Sequence, residues 1–262
     1  MTEATRWVEK NRDETRSEAM SGKQETPNLQ TKQATQLPRE VSPLEPHPEP
    51  PEEPAFRRDS FMRQLKTRVA RHVTESRGEV YYLEDTVLYP GGGGQPSDQG
   101  TVGGVPVLEV WSEDDGTVAH LLPSVNERED PAPHARLSVG SEVLVAVDWE
   151  RRFDHMQQHT AQHLLTAIAL EEFGLYTTAF HLGEESSDIE LNSPTLSREL
   201  LNALEKRANT LILENLPVGV AHIEWQNMET LGIRSRRVAE GVEGPLRIVE
   251  IQGVDRNTCG GT

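Results

Sequence analysis

The chain has 262 residues and a formal net charge of −17, with 35% hydrophobic and 5% aromatic residues. That length allows one large domain, or two small ones and a tail, but the composition is too lean for every part to own a core. No apolar run is long enough to span a membrane, one cysteine permits no internal disulfide, and the charge argues against broad attraction to nucleic-acid phosphates.

The first residues mix Glu and Asp with Arg and lack the apolar stretch of a secretory signal. With a single cysteine, a reducing compartment, the cytoplasm, is the expected location. If nucleic acid binds, local basic patches must meet it: Arg57, Arg58, Arg63, Lys66, Arg68 and Arg71, or Arg234, Arg236 and Arg237. Residues 1–55 are rich in Glu, Gln, Thr, Ser and Pro, bury too little apolar surface to offset ordering entropy, and read as a disordered tail. From 56 to 71 the spacing of Phe61, Leu65 and Val69 fits either a strand or a short helix. Short β-rich runs follow at 79–83, 105–111, 118–122 and 143–147, punctuated by Gly, Asp, Asn and Pro. Strands so short and so closely spaced suggest a small barrel.

Residues 151–173 read as one helix with Gly174 as its stop. A hairpin is expected over 177–191, then a second helix, capped by Ser197 or Thr195, running to about Asn215 before Pro217 ends it. Residues 218–225 and 246–254 read as strands, which makes the class α+β.

Chemistry concentrates on the first helix. His155, His159 and His163 recur every fourth residue, so they lie above one another on one helix face. No Glu follows His159, which excludes the His-Glu-x-x-His protease motif and its built-in base. A helical His pair with the distant Cys259 suits zinc, which takes nitrogen and sulfur ligands tetrahedrally. Taken singly, each residue is equally at home as an ordinary core or surface histidine, or as a small buried thiol. The run Gly91 to Gly94, followed by Gln95, lets backbone approach a ligand, but no Lys-Ser/Thr follows, so it is no P-loop. By composition alone it reads as a flexible turn.

Three separated words add to this reading: His159-Thr-Ala-Gln-His163-Leu-Leu, Val254-Asp-Arg-Asn-Thr-Cys259-Gly-Gly-Thr262, and the glycine-rich stretch from Leu83 to Gly100. Together they resemble the alanyl-tRNA editing family, which comprises the editing domain of alanyl-tRNA synthetase and its free-standing AlaX relatives. The resemblance covers about residues 56–262. It implies a small β-barrel domain over 56–150 and a two-layer α/β editing domain over 151–262. It also implies zinc-dependent hydrolysis of mischarged tRNA(Ala), chiefly seryl-tRNA(Ala), with the tRNA acceptor end as partner. His159, His163 and Cys259 match the zinc ligands, and catalysis would run through the metal they hold. A threonine on the strand after the zinc helix, here Thr177 or Thr178, would select the serine hydroxyl. Gly92, Gly93 and Gln95 would lie near the tRNA 3′ end.

His155 falls outside the matched pair, and either lines the pocket entrance or sits at the surface. The family's second half-site is Cys-x-x-x-His, and this sequence ends at Thr262, one residue before that His. The expectation is either a truncated sequence or a three-ligand site completed by water or the Thr262 carboxylate. A tRNA-binding module that no longer hydrolyses, and editing of another aminoacyl-tRNA such as threonyl-tRNA, are the alternatives.

Overall fold

The computed structural model describes residues 53–124, 137–183, 186–228, 231, 233–234 and 245–262. The expected tail, apart from its last three residues, lies outside the described residues, as do Arg236 and Arg237 of the second basic cluster. The stretch left open between helix and strand is both in turn. A single turn, α1 (Ala55–Arg58), buries Ala55 and Phe56, and the 12-residue β1 (Gln64–Glu75) follows.

β1 is the spine of the larger sheet. Its first half pairs with β7 (Glu142–Val147), from Gln64 opposite Ala146 to Arg68 opposite Glu142, and its second half with β2 (Gly78–Leu83). The register shifts between Val69 and Arg71, the kind of bulge that bends a strand and lets it change partners. With β3 (Gly100–Val102), β4 (Val105–Pro106), β5 (Glu109–Ser112) and β6 (Val118–Leu122), the order is β4-β3-β7-β1-β2-β6-β5, antiparallel throughout. The run read as one strand over 105–111 divides after Pro106, which has no N–H to give to a ladder. The Val107 N–H bonds to Gly100 O at 2.9 Å and the Leu108 N–H to Leu121 O at 2.7 Å, so consecutive residues reach β3 and β6. Val69, Tyr81, Leu88, Val102, Leu122 and Val145 form the centre of this region's core.

The long helix, α2 (Trp149–Phe173), begins two residues earlier than its periodicity indicated. Asp148 caps it, accepting the Arg151 N–H at 3.3 Å, and its own N–H is held by Gln99 O at 2.8 Å. Gly174 ends it at φ 66°, a left-handed conformation that glycine adopts without strain, with its N–H on Leu170 O at 3.0 Å. The hairpin β8 (Thr177–Leu182) and β9 (Ser187–Leu191) follows as expected. Ser197, not Thr195, caps α3 (Arg198–Leu213) through the Leu200 N–H at 3.2 Å. Leu164, Ile168 and Ala169 of α2 pack with Leu204, Ala208 and Leu211 of α3.

Two strand expectations need correction. The strand expected over 218–225 is β10 (Val218–Ile223), followed by a 3-10 turn over Trp225–Asn227. The segment 246–254 is not one strand. β11 (Leu246–Ile251) stops, the chain turns at Gly253 (φ 72°) with the Val254 N–H on Ile251 O at 2.9 Å, and Asp255–Thr258 returns as β12. Apolar alternation alone does not register a turn made by Gln252-Gly253 inside such a run. These strands form a second antiparallel sheet in the order β10-β11-β12. The molecule is therefore mixed α+β with one large antiparallel sheet, and no helix among the described residues is long and apolar enough to cross a membrane.

Candidate metal centre on the long helix

Residues 152, 155, 159 and 163 follow the i, i+3/i+4 rhythm of one helix face, and all are buried. The first, Arg152, anchors the glycine-rich segment. Its Nε donates to both carboxylate oxygens of Asp98 at 2.9 Å, and Nη2 also bonds Asp98. The remaining donors reach Val87 O (2.6 Å) and Ser60 O (3.0 Å). Asp98 in turn accepts the Tyr89 N–H at 2.7 Å, so the segment between Tyr89 and Asp98 is clamped at both ends against α2.

Inside that clamp the chain makes a tight turn. Gly92 and Gln95 exchange N–H···O bonds of 3.0 Å, with Gly93 and Gly94 between them at positive φ. A side chain at Gly94 would strike the ring of Phe180 on β8, so the turn approaches β8 only because position 94 is bare. The turn delivers Gln95, buried, to the helix. Its Oε1 lies 3.0 Å from His159 Nδ1, and its Nε2 donates to Thr262 Oγ1 at 2.7 Å. An amide oxygen only accepts, so Nδ1 of His159 carries a proton, and Nε2 is the ring atom turned to Cys259 Sγ, 3.5 Å away.

His163 is oriented by a different group with the same result. Its Nδ1 lies 3.2 Å from Asp255 Oδ2, and Asp255 is fixed by Arg234, whose Nε donates at 3.0 Å. His163 Nε2 is buried with no hydrogen-bond partner among the described residues. The two imidazoles stack with centroids 5.1 Å apart. Asp255 opens β12 and Cys259 follows its end, where strand alternation puts residues 255, 257 and 259 on one side. The Cys259 main chain is secured by Arg247, whose Nη1 donates to its carbonyl at 2.8 Å.

These contacts set the local charge. Burial pushes the Cys259 thiol up, but hydrogen bonds and charges from His159 and His163 outweigh it and bring the group down to about 5. Burial pulls His163 down, and the Asp255 carboxylate and the Cys259 sulfur more than reverse this, raising it to about 9. Both shifts favour the charged forms, an imidazolium beside a thiolate.

His159, His163 and Cys259 bring one ligand atom each within 4.8 Å of one another and could hold a metal ion. Two observations fit zinc. Tetrahedral bonds to imidazole and thiolate put nitrogen and sulfur roughly 3.5 Å apart, the His159–Cys259 separation. The unpartnered His163 Nε2 is a buried ring nitrogen that needs a partner, and it becomes a ligand atom once its proton leaves. A small cleft, open to solvent, lies over the cluster, walled by Thr160, Thr262 and the apolar Val218, Val249 and Ile251.

Of the other residues singled out by sequence, only Gln95 touches the cluster. Gly92 and Gly93 form the turn behind it, and Thr177 and Thr178 do not line the cleft. Thr177 Oγ1 meets Thr166 Oγ1 of α2 at 2.9 Å, whereas Thr178 is exposed and donates to Glu190 O at 3.3 Å. His155 is neither surface nor cleft wall. It is buried one turn before His159, where burial and the adjacent Arg151 lower its basicity. Sequence reasoning passed over Asp255, Arg152 and Asp98, and named Arg234 only as part of a basic patch, whereas it holds Asp255. Asp255 had a signal, since it stands four residues before Cys259 in a run of strand character.

No family model matches the chain. It is 43% identical over 223 residues to the alanyl-tRNA editing protein Aarsd1 of Bos taurus, covering 79% of this chain and 48% of that protein. The Aarsd1-A protein of Xenopus laevis is 48% identical over 180 residues, 69% of this chain and 41% of that protein. The alanyl-tRNA editing protein AlaX-M of Methanosarcina acetivorans is 31% identical over 212 residues, 78% of this chain and 84% of that protein. The chain thus spans about half the length of the Aarsd1 relatives it matches.

Proposed function

This chain belongs to the alanyl-tRNA editing protein family, and from that premise we propose that it hydrolyses mischarged tRNA(Ala), seryl-tRNA(Ala) foremost. The observation that carries the proposal is the convergence of two oriented imidazoles and a depressed-pKa thiol on one cleft. In this reading His159, His163 and Cys259 hold a zinc ion. Bound there, zinc supplies Lewis acidity toward the ester carbonyl and activation of water.

The chain's own residues do the rest. Gln95 and Asp255 hold the rings so that both Nε2 atoms face the thiolate, as orienting partners do in metal sites. Val218, Val249 and Ile251 give the cleft an apolar wall beside the cluster. Separating serine from alanine needs a group that bonds the hydroxyl, because apolar contact discriminates such near-isosteres poorly. Of the two candidates we choose Thr177, whose hydroxyl meets Thr166 on the cluster-bearing helix, over the outward Thr178. Gly92 and Gly93 serve as backbone for close approach of the tRNA 3′ end, with open space over Gly93. The same reading treats residues 56–150 as the barrel module and 151–262 as the editing module. It also sets the protein in the cytoplasm, where its free cysteine stays reduced.

The test is single-turnover deacylation of seryl-, glycyl- and alanyl-tRNA(Ala), with zinc and after chelation. Fast, zinc-dependent loss of serine with alanine retained is expected. Equal stability of all three esters in the presence of zinc would overturn the reading.

A further inference from the structure

The N-terminal half of α2 carries a feature that the hydrolytic site does not use. In a chain with only 5% aromatic residues, three aromatics and a guanidinium gather on one exposed face. Trp149 and Phe153 stack with centroids 5.5 Å apart and planes 22° from parallel. Phe61 closes on Trp149 at 5.9 Å, and the Arg63 guanidinium lies over the Trp149 ring at 4.3 Å. Phe61 is 61% exposed and Phe153 39%. None of these residues belongs to the core clusters, so apolar packing does not account for the stack.

Its position says what it fits. Phe153 and Thr160 are seven residues apart, two helical turns, so they share a face about 10 Å apart along the axis. Thr160 is a wall of the cleft over His159 and His163. The column Arg63–Trp149–Phe153 therefore runs along α2 toward the cleft, with Phe153 as its last rung on that side. We infer that Phe153 and its column are a stacking platform for an unpaired base of the RNA 3′ tail whose end enters the cleft; this rests on the hydrolytic reading above. An aromatic face accepts any base, and a cation stacked behind Trp149 strengthens the column. Asp148, Glu150 and Asp154 flank it against the cations Arg63 and Arg151, so binding here draws on stacking more than on charge and depends weakly on salt.

The experiment uses an RNA minihelix with a single-stranded 3′ tail carrying the fluorescent base 2-aminopurine, one tail position at a time, titrated with the full chain. At one position fluorescence is quenched on binding. Phe153→Ala removes that quenching and weakens binding roughly tenfold, within the range of base–aromatic stacking, and Phe153→Trp restores both. Thermal melts of the variants confirm that the exposed substitution leaves the fold intact. Unchanged affinity and quenching in Phe153→Ala overturns the inference, as does failure of the wild-type chain to bind the tail. A dimer that Phe153→Ala dissociates without altering RNA binding also overturns it, since the patch would then serve a second copy. Deacylation measured alongside separates the two readings. Hydrolysis without base stacking defeats only the platform, and stacking without hydrolysis defeats only the enzyme.

Discussion

Two buried polar clusters sit on the same helix, two turns apart, and they are opposites. At Arg152 every guanidinium nitrogen has a partner, among Asp98, Val87 O and Ser60 O. At His159, His163 and Cys259 the outer nitrogens are satisfied, the inner nitrogen of His163 is not, and the pKa values of thiol and imidazole move in opposite directions. A polar group buried for architecture is saturated, because an unmet donor costs free energy and returns nothing. A polar group buried for chemistry keeps something in reserve. His155 Nδ1, between the two clusters, is also unpartnered, so it is the convergence with Cys259, together with the open nitrogen of His163, that separates the candidate reaction centre from the clamp.

The sharpest way to break the comparison is to cut one residue from each cluster. His163→Ala should abolish deacylation, at a smaller cost in stability than the Arg152 substitution because Asp255 keeps its Arg234 partner; retained single-turnover hydrolysis would count against it. Arg152→Ala should do the reverse in kind, destabilising the fold by roughly 3–5 kcal/mol by leaving Asp98 buried and unpaired. Urea unfolding measures this, and a loss below about 1 kcal/mol would mean that the pair is not structural.

Next in size are the orienting partners. Asp255→Asn and Gln95→Ala should each lower zinc affinity about 10–100-fold, by competition with a chromophoric chelator, without removing a ligand. Asp255→Asn should also bring the His163 pKa down from about 9, since the carboxylate is the first group that raises it. A midpoint unmoved in proton NMR of the metal-free variant would contradict the assigned contact.

The smallest effect concerns protons. Raised above its unfolded value of 6.5, His163 contributes stability that is present below 6.5 and lost as pH rises through about 9. Lowered from 9.0, Cys259 contributes stability that is present above 9.0 and lost as pH falls through about 5. Together they give a metal-free protein of level stability from about 6.5 to 9, weakening from 6.5 to 5, where the unfolded chain binds a proton that the folded pair does not. Zinc uptake near pH 7.5 should release about one proton, from His163, visible as buffer-dependent binding heat. No proton release would mean that His163 does not bind the ion.

The same contrast explains what could be read in the sequence. The hairpin at β8–β9 and both long helices follow from local spacing and caps, which are written within a few residues. The His pair is equally local, one turn on one helix. Arg152 and Asp98 stand 54 residues apart, and neither has a pattern that names the other. Gln95 reaches His159 through a turn that depends on a bare Gly94 against Phe180, a fact of tertiary contact. Gly253, misread as strand, hid the return of β12 and with it the alternation that aligns Asp255 with Cys259.

The most direct measurement is X-ray absorption at the zinc edge of the loaded protein. The account predicts one sulfur neighbour at about 2.3 Å and imidazole nitrogens at about 2.0 Å, with the sulfur lost in Cys259→Ser. A shell of light atoms only, unchanged by that substitution, would contradict it.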